Sequence, residues 1–211
     1  MVLTALAAVV LAAAPAFAAA SAAPLSFETS LAQIHSAVGA LRAEQVKVKS
    51  GQIAGQIENL AWDLERAERE TSRLKQDLSW LRLRAARYRR ENGRPDSDPA
   101  LRWDLQRFTR ELQDLSRGAQ WRLDDLRRLS AQAQKDDSLV SPAQRLVDAT
   151  RRFKEMARWL ALDARFAQFD FLRAGFTFEA FEVDRGSRDA ETRAQELLGE
   201  SESLLTKVRG S

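Results

Sequence analysis

The chain contains no cysteine. That excludes disulfides, thiolate metal sites, thiol nucleophiles, covalent c-type haem attachment and lipidation on Cys. Histidine occurs once, at His35, and after Met1 the sole methionine is Met156. Neither sign of charge dominates, with 33 Lys+Arg against 30 Asp+Glu, a net of +3 and a pI near 9.6. So small an excess is not the clustered basic face that nucleic acid demands. Beyond the N-terminus, no apolar run approaches the ~20 residues of a membrane span. Catalytic motifs are missing too: there is no His-Glu-x-x-His, no glycine-rich phosphate loop and no Gly-x-Ser-x-Gly. Di-iron chemistry in a bundle uses Glu-x-x-His, and the residue three before His35 is Ala32. Asp124-Asp125 and Asp136-Asp137 are sequence neighbours. On a helix they point about 100° apart, as solvated faces do rather than acid–base dyads. No catalytic residue, metal or cofactor is expected, and the chain reads as a non-enzyme.

From Met1 to Ala23 no side chain is charged. The run 3–14 is apolar, Pro15 breaks it, and Ala16-Phe17-Ala18 has the small-x-small form of a signal-peptidase site. The sequence therefore predicts a cleaved leader over 1–18, a short tail over 19–25 and a single helical-bundle domain over 26–209. It departs from the usual leader in having no Lys or Arg before the apolar core. The mature chain is expected to be periplasmic or secreted, without a stable membrane span.

What the chain has in abundance is helical seam. Between Ile57 and Tyr88 the apolar and small residues fall at Ile57, Leu60, Leu64, Ala67, Thr71, Leu74, Leu78, Leu81, Ala85 and Tyr88. Spacings alternate between three and four, as in a coiled coil. A second seam runs through Leu101, Leu105, Phe108, Leu112, Leu115, Ala119, Arg122, Leu126, Leu129 and Ala133. Folding at Asn92-Gly93-Arg94-Pro95 sets Leu64 opposite Leu126, Thr71 opposite Ala119, Leu78 opposite Leu112 and Ala85 opposite Leu105. That register predicts an antiparallel hairpin. A third seam, Leu146, Ala149, Phe153, Met156, Leu160, Asp163 and Ala167, mirrors the second and is expected to return along the same face. The fold class is all-α: an elongated antiparallel bundle of three long helices, each about 55–60 Å, with shorter N- and C-terminal helices. Expected bounds are 26–50, 52–92, 99–135, 142–174 and 187–208. Gly51 and Gly55 mark a phase slip, and Asp184-Arg185-Gly186-Ser187 reads as a turn. The two short helices are expected to share a fourth column, with the N-terminal one folding back. The competing arrangement leaves 26–50 as an extension whose stripe of Leu31, Ile34, Val38, Leu41 and Val48 serves a homo-oligomer.

Three groups remain. Trp62 and Trp80 are eighteen residues apart, as are Trp103 and Trp121, so each pair lies on one line of its helix. They are read as sealing the bundle. Phe166, Phe169, Phe171, Phe176, Phe178 and Phe181, interrupted by Gly175, are read chiefly as core at one bundle end, with a binding patch as the alternative. Arg82, Arg84, Arg87, Arg89, Arg90 and Arg94 gather at the hairpin tip. There they complement a helix dipole and pair with acids across the turn, or touch an anionic surface. The function expected is a structural or interaction module of the cell envelope, with a protein partner or an anionic envelope component. A holdase-like chaperone using the Phe-rich segment is the alternative. Haem held by His35 and Met156 ranks lowest, because His35 stands beside its stripe and Met156 fits core phase.

Overall fold

The computed structural model describes residues 27–92 and 99–210. The predicted leader, the 19–25 tail and the turn containing Arg94 lie outside the described residues. Of the described residues 95% are helical and none forms a strand. There are four helices, α1 (Phe27–Asn92), α2 (Pro99–Gln132), α3 (Asp137–Arg173) and α4 (Thr177–Arg209).

Among the described residues, those up to Lys47 belong to one unit and those from Val48 onward to another. In the first unit Val38, Leu41 and Val46 are exposed. Helix α1 carries through Gly51 and Gly55 without ending, so the expected separate helices 26–50 and 52–92 are one element. Two glycines cost a helix about 1 kcal/mol each, which this long helix absorbs.

In the second unit the α1 seam is buried at all ten predicted positions from Ile57 to Tyr88. Each fully buried leucine there contributes about 1.5–3 kcal/mol through removal of apolar surface from water. The α2 seam is buried at nine of its ten positions, the exception being Arg122, beside which Leu123 is fully enclosed. Side-chain pairs show which helices are neighbours. Arg73–Glu111 (2.7 Å) and Arg84–Asp104 join α1 to α2 with numbers running oppositely, so the predicted antiparallel hairpin stands. Arg152–Glu68 (3.2 Å), Lys75–Asp163 (3.7 Å) and Arg82–Asp170 (2.9 Å) join α1 to α3, with both numbers rising together. Arg102–Glu179 (3.3 Å) and Arg127–Glu200 (3.4 Å) likewise set α2 parallel to α4. Arg151–Glu202 (3.0 Å) and Arg209–Gln144 (3.0 Å) close the ring between antiparallel α3 and α4.

The order around the bundle is therefore α1, α2, α4, α3. Helix α3 is not the neighbour of α2, as the mirror register implied, but its diagonal. Leu126 and Phe153 both lie fully buried in the common core, reaching it from opposite corners. Flanked on both sides, α3 buries a wider arc than one seam: Ala157 and Ala164 are enclosed, while Met156 and Asp163, placed on the seam by phase, are half-buried.

Two boundaries also differ from expectation. Helix α3 begins at Asp137, before Ser141-Pro142, because Asp136 is the N-cap. Its carboxylate accepts from the Ser138 N–H (2.9 Å) and hydroxyl (2.7 Å), and from the Ser50 hydroxyl of α1. Its own N–H donates to the Val208 carbonyl (3.1 Å) of α4. The Ser138 and Ser50 hydroxyls hold the Asp136 carboxyl below its ordinary pKa. Pro142 is accommodated inside the helix. Between α3 and α4 the chain turns at Gly175, whose φ of 88° is costly for any residue with a Cβ. Phe176 N–H reaches Phe171 O and Gly175 N–H reaches Leu172 O, both at 3.0 Å, a Schellman closure with Phe171 and Phe176 buried beneath it. The turn expected at 184–187 is helix. Gly186 lets α4 approach α2 there, since an added Cβ would stand 3.2 Å from Leu112 Cβ.

Candidate interaction surface

The ion pairs Arg82–Asp170, Arg84–Asp104 and Arg102–Glu179 bring the C-terminal part of α1, the start of α2, the end of α3 and the start of α4 to one end of the bundle. Both groups of predicted interaction residues fall there. The arginines divide into two sets. Arg82 and Arg84 are half-buried and spent on Asp170 and Asp104. Arg87, Arg89 and Arg90 are exposed, and among the described residues no carboxylate pairs with them. Arg94 lies outside the described residues.

The phenylalanines divide as well. Phe171 and Phe176 are core, with Phe176 6.3 Å from the Tyr88 ring at a 54° tilt and the Arg102 guanidinium 5.9 Å from its centroid. Phe166, Phe169, Phe178 and Phe181 are 55–71% exposed, against the expectation that the segment is chiefly core. Each lies across its helix from the buried positions, which a 100° step per residue imposes once Phe171 and Phe176 are fixed inside.

The tryptophans depart furthest from expectation. All five, Trp62, Trp80, Trp103, Trp121 and Trp159, are more than half exposed, so they do not seal the bundle. Four have a cation against the ring: Arg145 on Trp62 (4.2 Å), Arg84 on Trp80 (5.2 Å), Arg107 on Trp103 (5.2 Å) and Lys75 on Trp159 (5.6 Å). The bundle closes without them because four seams already surround the core.

Sequence reading missed three further members of this surface, Leu83, Trp159 and Leu162. The signal was present. Trp159, Leu162, Phe166 and Phe169 repeat at three, four and three residues, a second stripe on α3 opposite Leu160, Ala164 and Ala167. Leu83 lines a shallow groove of about 430 Å³ with Ser79, Arg82, Ala86 and Asp170 between α1 and α3. A larger polar groove of about 710 Å³ includes Glu65, which pairs with Arg145 and Arg152, and Arg209, which donates to Gln144.

His35 is exposed, and Met156 is half-buried. Among the described residues no group of three or more His, Cys, Asp or Glu is placed to hold a metal ion, and no helix is long and apolar enough to cross a membrane. No family model matches the chain, and no curated protein or solved structure is similar to it.

Proposed function

We propose that this chain is an exported, non-enzymatic interaction module of the cell envelope, working through side chains on the outside of its bundle. The observation that carries the reading is the placement of large apolar residues. All five tryptophans and, among the described residues, four phenylalanines are exposed on a bundle whose core is already closed. Exposed aromatic area at this density is what partners cover. Export rests on the uncharged apolar N-terminus with its Ala16-Phe17-Ala18 site.

The test is expression from the chain's own start in its source cell, followed by N-terminal sequencing of the envelope fraction and crosslinked co-purification. The expected result is a mature start near Ala19 and an envelope component retained by the native protein but lost when Leu83 and Phe178 are changed to serine. A chain found in the cytosol with its leader intact would overturn the reading.

A holdase-like chaperone is the second reading, favoured by the exposure of Phe166, Phe169, Phe178 and Phe181. It requires that the native protein bind an apolar dye and suppress aggregation of a denatured client at stoichiometric ratios. Serine at those four positions is expected to abolish both.

A further inference from the structure

We infer that the outer face of α3 docks a second copy of this chain, the two α3 helices pairing antiparallel about a twofold axis. The inference goes beyond the interaction-module reading, since it rests on the α3 face alone and names its partner.

Six exposed residues lie in line down that face: Glu155, Trp159, Leu162, Phe166, Phe169 and Arg173. Their spacings are four, three, four, three and four, the pattern of a coiled-coil seam. They stand opposite the seam that α3 turns inward at Leu160, Ala164, Ala167 and Phe171. Helix α3 therefore carries two seams, and its own bundle covers one. The outer spacings are the same read from either end, so a reversed copy meets them at every layer. With the axis at the height of Ala164, Trp159 faces Phe169 of the second copy and Leu162 faces Phe166. The same register sets Glu155 across from Arg173 at both ends of the seam, about 27 Å apart. Among the described residues, neither of these two charges is used in an ion pair within its own chain. Such a contact is isologous, each copy giving the same surface.

Charge and area decide the occupant and its direction. In a parallel pair Glu155 would meet Glu155 and Arg173 would meet Arg173, and like charges set face to face repel. Antiparallel pairing turns both ends into ion pairs. Beside the seam, Asp163 is held by Lys75 (3.7 Å) and Asp170 by Arg82 (2.9 Å), so neither brings a bare carboxylate to the axis. Arg165, which flanks the axis, is exposed and long enough to carry its guanidinium out to water. Lys75 also lies over Trp159, 5.6 Å from the ring centroid, and holds that ring before a copy arrives. The four apolar seam residues are 39–60% exposed, and Leu83, in the adjoining α1–α3 groove, is 72% exposed. Together they offer about 500 Å² of apolar side-chain surface. A stable partner buries about 800 Å² per side, roughly 60% of it apolar, so the face is large enough for a dimer.

The experiment is sedimentation velocity of the full chain and its variants, with helicity followed by circular dichroism. The apolar N-terminus is common to every variant and cancels in the comparison. Expected is a monomer–dimer equilibrium at micromolar concentrations. Phe166→Ser with Phe169→Ser should weaken it at least about tenfold at unchanged helicity. Glu155→Arg and Arg173→Glu should each weaken it about tenfold, and the two exchanges together should return it to within about threefold of the parent. Only residues that face each other across copies give that rescue, because within one chain the two are too far apart to touch. Val38→Ser with Leu41→Ser, on the exposed stripe near the start of α1, should leave the equilibrium unchanged. Three results overturn the inference: a chain still monomeric at about 100 µM, a dimer lost through Val38 and Leu41 but not through Phe166 and Phe169, or single charge exchanges without effect. If the chain is monomeric while an envelope component is retained through Leu83 and Phe178, the second copy falls and the interaction module stands. If the dimer forms but the chain stays in the cytosol with its leader intact, the module falls and the dimer stands.

Discussion

At the scale of single residues, Asp136 does more than cap a helix. Its carboxylate holds two groups of Ser138 and the hydroxyl of Ser50, eighty-six positions earlier, while its N–H holds Val208. One side chain thus ties the α2–α3 connection to α1 and α4. Loss of an N-cap acceptor costs about 0.5–2 kcal/mol, and Asp136→Ala should fall in the upper part of that range. Because these bonds favour the charged form, the folded carboxyl titrates below the ordinary carboxylate range. A depressed carboxylate adds stability that is fully present above the unfolded pKa and is lost as pH falls through the folded one. Asp136→Asn keeps a cap but cannot titrate. In thermal melts it should therefore be less stable than the parent at pH 7, and the gap should close as pH drops below about 4. A gap unchanged at pH 2–3 would mean that the charge contributes nothing.

Among the elements, α4 carries a matched pair of glycines that separates helix propensity from packing. Around Gly199 an added Cβ meets nothing within 4 Å, while at Gly186 it stands 3.2 Å from Leu112 Cβ. Gly199→Ala should therefore raise stability by up to about 1 kcal/mol. At Gly186 the same substitution gains the same propensity but pushes against an atom one bond from the α2 backbone, which cannot rotate away. Overpacking of this kind costs about 1–3 kcal/mol, so Gly186→Ala should lower stability by about 1 kcal/mol. Urea midpoints of the two variants should move in opposite directions; equal gains would mean that α2 and α4 are not in close contact. Gly186 also shows where sequence reading fails. A glycine beside Asp184 and Ser187 resembles a turn, and only the proximity of Leu112 reveals it as a packing residue. The α1 and α2 seams were legible because one hydrophobic stripe, repeated over ten layers, meets one partner in a short hairpin. In α3 legibility falls by a residue at Met156 and Asp163, because a helix with two neighbours buries an arc that no single three–four pattern describes. The tryptophans were misread for a different reason: hydrophobicity predicts burial only while the core has room, and sequence does not report when it is full. Of the candidate surface, the Arg cluster and four of six phenylalanines were identified by composition, whereas Leu83, Trp159 and Leu162 needed the helix faces to be known.

For the whole bundle the decisive question is which helix stands beside which. A hairpin of α1 and α2 continued in sequence order would put α3 against α2. The observed pairs instead give two hairpins laid side by side, α1 with α2 and α3 with α4, joined by parallel contacts α1–α3 and α2–α4. The α4 face turned to its neighbours is rich in small buried residues, Ala180, Gly186, Ser187, Ala190 and Ala194. At Gly186 the backbone comes close to a larger side chain of α2, Leu112. The absence of cysteine makes the arrangement directly testable. With Arg127→Cys and Glu200→Cys, or Arg82→Cys and Asp170→Cys, a short bismaleimide should give efficient intramolecular links, identified as crosslinked peptides by mass spectrometry. Arg117→Cys with Arg158→Cys places thiols on the outer faces of diagonal helices at similar height, and it should give essentially none. A strong 117–158 link with no 127–200 link would restore α3 to the side of α2.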